Sequence, residues 1–263
     1  MSNPVSNNSS VIKRLQREIV RATLTSREGH IASAYSILDI LWVLYSSVLQ
    51  VYPSVPKHGN RDRFILSKGH GSLALYAVLA EKGFFPAKDL ERFSTFESNL
   101  GGHPDCNKVP GVETSTGSLG HGFPMAVGMA MGLKIKNSTS RVYCLIGDGE
   151  ANEGSIWEAA LLARHHKLDN LCCIIDFNHS TDRALDLGDV AAKFRAFGFE
   201  TTTIDGHDHV AILESLNIES NSPRAIVART IKGHGCQVME NNPAWHHRSP
   251  GLDELKVILD QLS

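Results

Sequence analysis

Apolar positions along the chain repeat at two spacings, one typical of helices and one typical of strands. Residues 11–25 carry apolar side chains at helical spacing, and residues 36–49 are apolar on nearly every side, as in a buried helix. Residues 61–67 (RDRFILS) form a short β-prone run that enters a glycine turn, and residues 72–81 return to helical spacing. The first third of the chain therefore predicts three helices and one strand.

The pattern alternates regularly after residue 122. The predicted helices cover residues 123–136, 155–166, 190–197, 209–216 and 252–262, and the predicted strands cover residues 142–146, 171–177, 200–204 and 224–229. Alternation of strand and helix is typical of βαβ units, whose strands run parallel. The sequence therefore predicts an α/β fold, with a doubly wound, mostly parallel sheet and helices on both faces.

Two stretches lack either spacing. Residues 1–9 are polar, and we expect them to be disordered. Residues 99–122 are rich in Gly, Pro, Ser, Thr and Asn, and loops of that length inside a compact domain are usually functional. Because the chain has no internal repeat or low-complexity linker, we expect residues 1–263 to form one domain.

Composition narrows the class of protein. Charged residues make up 21% of the chain and the hydrophobic set 42%, as in ordinary globular proteins, and the net charge of −2 gives no reason to expect nucleic acid or a membrane as partner. The five cysteines show no C-x-x-C spacing, which indicates reduced thiols. No secretory signal and no run of ~18 uninterrupted apolar residues are evident, so we expect a cytoplasmic protein.

The segment GDGEANEG, residues 147–154, follows the predicted strand VYCLI. Ligands of doubly wound sheets bind beyond the carboxyl ends of the strands, so Asp148 is a candidate ligand for a hard cation that bridges to phosphate. The flanking Gly147 and Gly149 let the backbone approach closely. A glycine-flanked Asp at a strand end is also compatible with a plain turn.

A second candidate follows the next predicted strand, LCCIIDF. Asn178 comes 178 − 148 = 30 residues after Asp148, an interval that one crossover helix and one strand fill. Both side chains can then emerge at neighbouring strand ends, where an amide oxygen beside a carboxylate suits Mg²⁺ or Ca²⁺. The alternative is that Asn178 only begins a turn, as Asn often does.

The paired pattern of GDG and an Asn about thirty residues later resembles the fingerprint of thiamine-diphosphate enzymes. The surrounding sequence is similar to the amino-terminal third of transketolase, block by block and in order. These blocks are SREGH (26–30), RDRFILSKGHGSLALYAVL (61–79), GGHPD (101–105), PGVETSTGSLGHGFPMAVGMAMGLK (110–134), GDGEANEGSIWEAALLARHHKLDNL (147–171) and KGHGCQVMENNPAWHH (232–247). They span nearly the whole chain, so the resemblance implies the transketolase fold and activity.

The resemblance also implies a role for particular residues. Asp148, Asn178 and the backbone carbonyl of Ser180 would bind Mg²⁺ or Ca²⁺. The remaining residues implied to contact or adjoin thiamine diphosphate are Gly117, Ser118 and Leu119 against the aminopyrimidine, Gly147, Gly149 and Glu150 around Asp148, and Glu153 and Glu158 near the subunit interface. Four histidines would do the catalytic work: His30 and His103 on the sugar hydroxyls, and His70 and His246 beside the diphosphate or the reacting carbon.

The resemblance and the length together imply a partner. In transketolases the glutamate that contacts the pyrimidine ring belongs to a further domain, so we expect a separate carboxyl-terminal subunit, and with it an α₂β₂ heterotetramer. The substrates would be a ketose donor and an aldose acceptor, whether phosphorylated, nucleotide-linked or free. The chain departs from the family at IASA after His30 and at Ser118, and His247 could replace His246.

Two other interpretations are open. One is the subunit of another thiamine enzyme, similar to 1-deoxyxylulose 5-phosphate synthase or to a 2-oxo acid dehydrogenase α chain; LSKGHG and ENNPAWHH favour transketolase over both. The other is a catalytically silent regulatory subunit, against which the presence of His30, His70, His103, Asp148 and Asn178 argues.

Overall fold

The structure, a computed structural model, describes residues 8–181 and 185–262, and eight α-helices and five strands form the fold of these two ranges. The helices are α1 (Asn8–Ser26), α2 (Ile31–Val43), α3 (Ser72–Glu81), α4 (Gly122–Ile135), α5 (Gly154–His165), α6 (Val190–Ala196), α7 (His209–Leu216) and α8 (Leu252–Gln261). The strands are β1 (Arg63–Leu66), β2 (Val142–Gly147), β3 (Leu171–Phe177), β4 (Glu200–Asp205) and β5 (Arg224–Arg229).

The amino terminus differs from the prediction of a disordered segment over residues 1–9. Residues 1–7 lie outside the described residues, whereas Asn8 and Ser9 already belong to α1. The helix is amphipathic, and its apolar side, which includes Leu15 and Ile19, is buried in the core. The helix begins three residues before the predicted start, and the exposed Ser9 and Ser10 belong to its first turn.

The five strands form one sheet with the order β1–β2–β3–β5–β4, and every pair is parallel. The predicted doubly wound parallel sheet is therefore confirmed. Gly147 lies opposite Asp176 and Phe177 lies opposite Arg229, so the carboxyl ends of β2, β3 and β5 meet at one edge. The residues that follow these strands consequently emerge side by side.

Helices cover both faces of the sheet, as predicted. Successive strand residues point to opposite faces, so Tyr143 and Leu145 pack with α1, α2, α3, α7 and α8. Val142, Cys144 and Ile146 pack with α4, α5 and α6 on the other face. The cysteines are free thiols, in agreement with the reduced state expected from their spacing.

Helix α2 continues as a π-helical turn over Leu44–Val48. The helix from Ile31 to Val48 is long and apolar enough to cross a membrane by length and composition, but most of it is buried inside the fold. It packs against α3 and α1 and brings the side chains of Ser36 and Asp39 into the interior. Its position is that of a central core helix.

Candidate active site at the carboxyl edge of the sheet

Four chain segments leave the sheet at its carboxyl edge and supply the candidate site. Lys68 and His70 follow β1 in a short 3₁₀ turn (Gly69–Gly71) that leads into α3. Asp148 follows β2, Asn178 follows β3, and Lys232 lies three residues after β5. The fold thus places Asp148 and Asn178 at adjacent strand ends, as their spacing predicted.

A buried polar network organises this edge around Asp176, whose side chain is fully buried. Its carboxylate accepts hydrogen bonds from Lys68 Nζ, from Thr230 Oγ1 and, at 2.6 Å, from Ser36 Oγ. Asn178 Nδ2 donates to Asp176 Oδ2 at 3.0 Å. Because a carboxylate only accepts, this contact fixes the Asn178 amide with its Oδ1 atom facing away from Asp176.

Asp148 and Asn178 present their oxygens to the same place. Asp148 Oδ2 and Asn178 Oδ1 accept hydrogen bonds from the same donor, Ser180 N, at 2.8 and 3.1 Å. Burial, followed by the charge of Asp176, raises the pKa of Asp148. Carboxylate and amide oxygens are the ligands that Mg²⁺ and Ca²⁺ prefer, and a cation here would relieve the raised pKa. The donor set therefore fits the expected metal.

Ser180 reaches Asp148 through donor groups. Besides its N–H, its Oγ donates to Asp148 Oδ1 at 3.1 Å. The prediction concerned the carbonyl oxygen of Ser180, which differs from both of these groups. The structure therefore brings Ser180 to the expected ligands, and its role as a carbonyl ligand stays a prediction.

Two buried lysines, Lys68 and Lys232, belong to the site although sequence reasoning passed over them. Both ammonium groups lie at the sheet edge that carries Asp148, and burial followed by the charge of Lys68 lowers the pKa of Lys232. Lys232 Nζ lies 2.9 Å from His246 Nδ1. The sequence signal for these two lysines is the Lys in the motifs LSKGHG and TIKGHG, in which only the neighbouring histidine was considered as a candidate. Two buried cations beside a carboxylate suit a polyanionic ligand.

Three of the predicted catalytic histidines come together, and a fourth histidine joins them. The ring centroid of His30 lies 5.3 Å from that of His70, 5.4 Å from that of His246 and 4.5 Å from that of His247. Burial is the largest cause that lowers the pKa of His70 to about 2, followed by Lys68. Burial also lowers the pKa of His30 to about 3, followed by His247. Both rings are therefore neutral at pH 7.

The long loop 99–122 borders this cluster and carries His103. Backbone atoms pack tightly here: a Cβ atom on Gly69 would lie 2.9 Å from Gly117 N, and one on Gly117 would lie 3.3 Å from His103 Cδ2. His103 is exposed, and its charge contributes to the lowered pKa of His30. The neighbours Ser118 (exposed) and Leu119 (half-buried) complete this part of the loop.

Glu150 lies beneath the same loop and is almost fully buried. Its carboxylate accepts hydrogen bonds from Ser67 Oγ, from Gly120 N at 2.9 Å and from Gly147 N at 3.3 Å. It thus ties the loop to β1 and β2, and burial raises its pKa. Glu153 and Glu158, by contrast, are exposed at the start of α5, so their expected interface role stays a prediction.

A second histidine cluster lies beyond the carboxyl ends of β4 and β5 and was not predicted. His207 Nδ1 lies 2.9 Å from Asp39 Oδ2, His209 Nε2 lies 2.6 Å from Asp39 Oδ1, and the ring of His234 stacks on that of His207. Asp39, His207 and His234 are close enough to share a metal ion. However, His207 Nε2 accepts a hydrogen bond from Ile231 N at 2.9 Å, so its Nδ1 carries the proton that points to Asp39. This tautomer favours a hydrogen-bonded network over a metal site.

Comparison with known proteins gives concordant results. The family described as "Transketolase, thiamine diphosphate binding domain" matches residues 7–262. One of the subunits of the apulose-4-phosphate transketolase of Actinobacillus succinogenes is 40% identical over 258 residues, which cover 95% of this chain and 94% of that protein. The 6-deoxy-6-sulfo-D-fructose transketolase subunit SqwG of Clostridium sp. is 38% identical over 227 residues, which cover 83% of this chain and 82% of that protein.

A solved structure agrees with these sequence matches. The transketolase of Campylobacter jejuni superposes with a TM-score of 0.90 and 33% identity, over 97% of this chain and 42% of that one. This chain therefore spans about two fifths of a full-length transketolase but nearly all of the Actinobacillus subunit.

Proposed function

The chain belongs to the transketolase family as a thiamine-diphosphate-binding subunit, and from that premise we propose that it transfers a two-carbon ketol unit together with a separate carboxyl-terminal subunit. One observation supports this most directly. Asp148 Oδ2 and Asn178 Oδ1 converge on the same N–H at the strand ends, beside two buried lysines. A carboxylate and an amide oxygen for a cation, with ammonium groups for an anion, form a site for a metal-bound diphosphate.

The residues divide into an anchoring end and a reacting end. Asp148 and Asn178 hold Mg²⁺ or Ca²⁺, while Lys68 and Lys232 offset the charge of the diphosphate. The network around Asp176 keeps Asn178 and Lys68 in place, because each donates to that buried carboxylate. Thiamine diphosphate, when bound, supplies the stabilisation of the carbanion that ketol transfer requires.

The histidines act on the sugar. His30 and His70 are neutral, so each ring can donate one hydrogen bond and accept another, as is needed to hold hydroxyl groups and move protons. His103 reaches the same region from the long loop. His246 contacts Lys232 and thereby connects the histidines to the anchoring end.

The partner subunit carries the pyrimidine-contacting acid in this proposal. Its support is that the relatives named as apulose-4-phosphate transketolase subunits have nearly the length of this chain, whereas the chain matches only 42% of a full-length transketolase. We propose an α₂β₂ assembly in the cytoplasm. The relatives are named for apulose 4-phosphate and for 6-deoxy-6-sulfo-D-fructose, and we propose that the sugar used here likewise carries a phosphate or a sulfonate.

Calorimetric titration of the assembled complex with thiamine diphosphate and Mg²⁺ tests the site. We expect Asp148→Ala to abolish metal-dependent binding, and Asp169→Ala, at an exposed carboxylate paired with Lys134, to leave it unchanged. Equal affinity in Asp148→Ala and the wild type would contradict the metal site. In the same preparations, ketol transfer should require both subunits, and turnover by this polypeptide alone, with purity checked by mass spectrometry, would contradict the two-subunit proposal.

A further inference from the structure

His247 lies on the outer side of the histidine cluster, and the fold holds it there from two directions. The preceding Trp245 is buried in the core. The following Arg248 donates its backbone N–H to Gly29 O at 3.1 Å and forms a β-bridge with His30. These contacts join segments 29–30 and 245–248, which are far apart in sequence. As a result the ring of His247 packs against that of His30, with centroids 4.5 Å apart and planes inclined by 41°.

Glu28 fixes the other side of His247. His247 Nε2 lies 2.9 Å from Glu28 Oε2, and the two side chains are 49% and 53% exposed. Solvent screens so exposed a contact, which consequently contributes little to stability. The pair therefore does little for the fold, whereas its contact with His30 places it at the reacting end of the site.

We propose that His247 is a positioning residue for the transfer reaction: held by Glu28, it packs on His30 and fixes the orientation in which that imidazole meets the sugar. This inference rests on the proposed function. Its partner Glu28 belongs to the segment that precedes α2, two residues before His30, so Glu28 and the imidazole on which His247 packs share one stretch of backbone.

The charged and titratable groups around His30 also affect its pKa. The groups that face it are His70 after β1, His103 on the long loop, Lys232 after β5, His246 and His247 before α8, and Glu28 beyond His247. His30 also lies at the amino terminus of α2, where a positive charge is unfavourable. After burial, His247 contributes most to the lowered pKa of His30. Removing its imidazole should therefore let His30 take up a proton at higher pH.

Steady-state kinetics of the reconstituted complex test the proposal with three variants. We expect His247→Ala to lower kcat/KM about tenfold with unchanged affinity for thiamine diphosphate, and to move the acid limb of the pH profile to higher pH. His247→Phe keeps a packed ring without a charge, so it should restore most of the rate at pH 7.5 while the acid limb stays displaced. His166→Ala, at the end of α5, is the control and should change neither quantity.

The Glu28→Gln variant tests the contact between Glu28 and His247. If Glu28 acts through His247, the effects of Glu28→Gln and His247→Ala on kcat/KM are not additive in the double variant. A wild-type rate and pH profile in His247→Ala would overturn the proposal, and so would full additivity of the two changes.

A labelling experiment separates this inference from the proposed function. Diethyl pyrocarbonate modifies neutral imidazole, so the pH dependence of His30 labelling, followed by mass spectrometry, reports its protonation without any turnover. We expect the midpoint to rise in His247→Ala relative to the wild-type complex. An unchanged midpoint would contradict the charge effect of His247, whereas failure of the wild-type complex to bind thiamine diphosphate would contradict the proposed function alone.

Discussion

Two histidine clusters of this chain use the same side chain in opposite settings. In the Asp39 cluster (Asp39, His207, His209 and His234), two imidazoles lie within hydrogen-bond distance of one buried carboxylate. In the site cluster (His30, His70, His246 and His247), the rings contact one another, and the nearby charges include Lys68 and Lys232. Both clusters contain partly buried imidazoles, such as His30 and His70 in one and His207 and His209 in the other, so burial alone does not separate them.

The carboxylate of Asp39 distinguishes the Asp39 cluster from the site cluster. Burial would raise the pKa of Asp39, but hydrogen bonds from His207 and His209 outweigh it and hold that pKa below its usual value. Each of these rings is thereby held by an internal partner. At His30 and His70, by contrast, burial and then the neighbouring bases and cations lower the pKa. Such neutral rings suit the binding of a sugar.

Alanine substitutions in the two clusters should differ most in their effects on kcat/KM and on thermal stability. We expect His70→Ala to reduce kcat/KM of the complex by ~10²–10⁴-fold, the usual contribution of a general acid–base group, with little change in thermal stability. His209→Ala should instead lower the melting temperature and leave kcat/KM within about threefold of the wild type. The comparison fails if His209→Ala abolishes turnover in complex that remains folded.

His103 tests whether the residues that anchor the cofactor are separate from those that act on the sugar. It is exposed on the long loop next to Gly117, on a different segment from Asp148 and Asn178, so it should act on the sugar and contribute little to cofactor anchoring. We expect His103→Ala to keep near-normal affinity for thiamine diphosphate and to lose at least about tenfold in kcat/KM, or ~1.4 kcal/mol. Collapse of cofactor binding with normal turnover at saturation would show that anchoring and substrate residues are not separate.

The sequence predicted most of the fold because its helices and strands bury regular apolar patterns. The bounds of α3, α7, β3 and β5 were predicted without error. The start of α2 was placed five residues late, at 36 instead of Ile31, since the residues IASAY show no clear start signal. The insertion of β5 between β3 and β4 was not predicted, because strand pairing depends on long-range packing.

The residues of the site were likewise predicted only in part. Its motif residues were predicted from the resemblance, and geometry brings Asp148, Asn178, His30, His70 and His246 to one edge. The Asp39 cluster was missed because Asp39 lies within an apolar helix and meets His207, 168 positions away in the sequence. Polar partners so distant leave no local pattern. Lys68 was missed for a related reason, since its partner Asp176 is 108 positions away.

The smallest expected effect concerns the pH dependence of stability at Asp39. Its pKa is lower in the folded protein than in the unfolded chain, where it is about 3.9. Folding is therefore favoured above the unfolded pKa, and that contribution is lost as the pH falls through the folded pKa, because the unfolded chain binds the proton first. Asp39→Asn has no such titration. Since Asn retains an acceptor oxygen, we expect it to cost only about 1 kcal/mol of unfolding free energy at pH 7.

Urea unfolding of both proteins between pH 7 and pH 3 measures this difference. The stability difference between wild type and Asp39→Asn should stay constant down to about pH 5 and then narrow as the pH approaches 3, because only the wild type loses the carboxylate contribution. Glu200→Gln, at an exposed position on the edge strand β4, serves as the control and should give a difference that varies little with pH. A difference that is constant through pH 3, or that grows, would mean that Asp39 is not held as a carboxylate by its two histidines. The Asp39 cluster would then no longer contrast with the site cluster in the way its hydrogen bonds indicate.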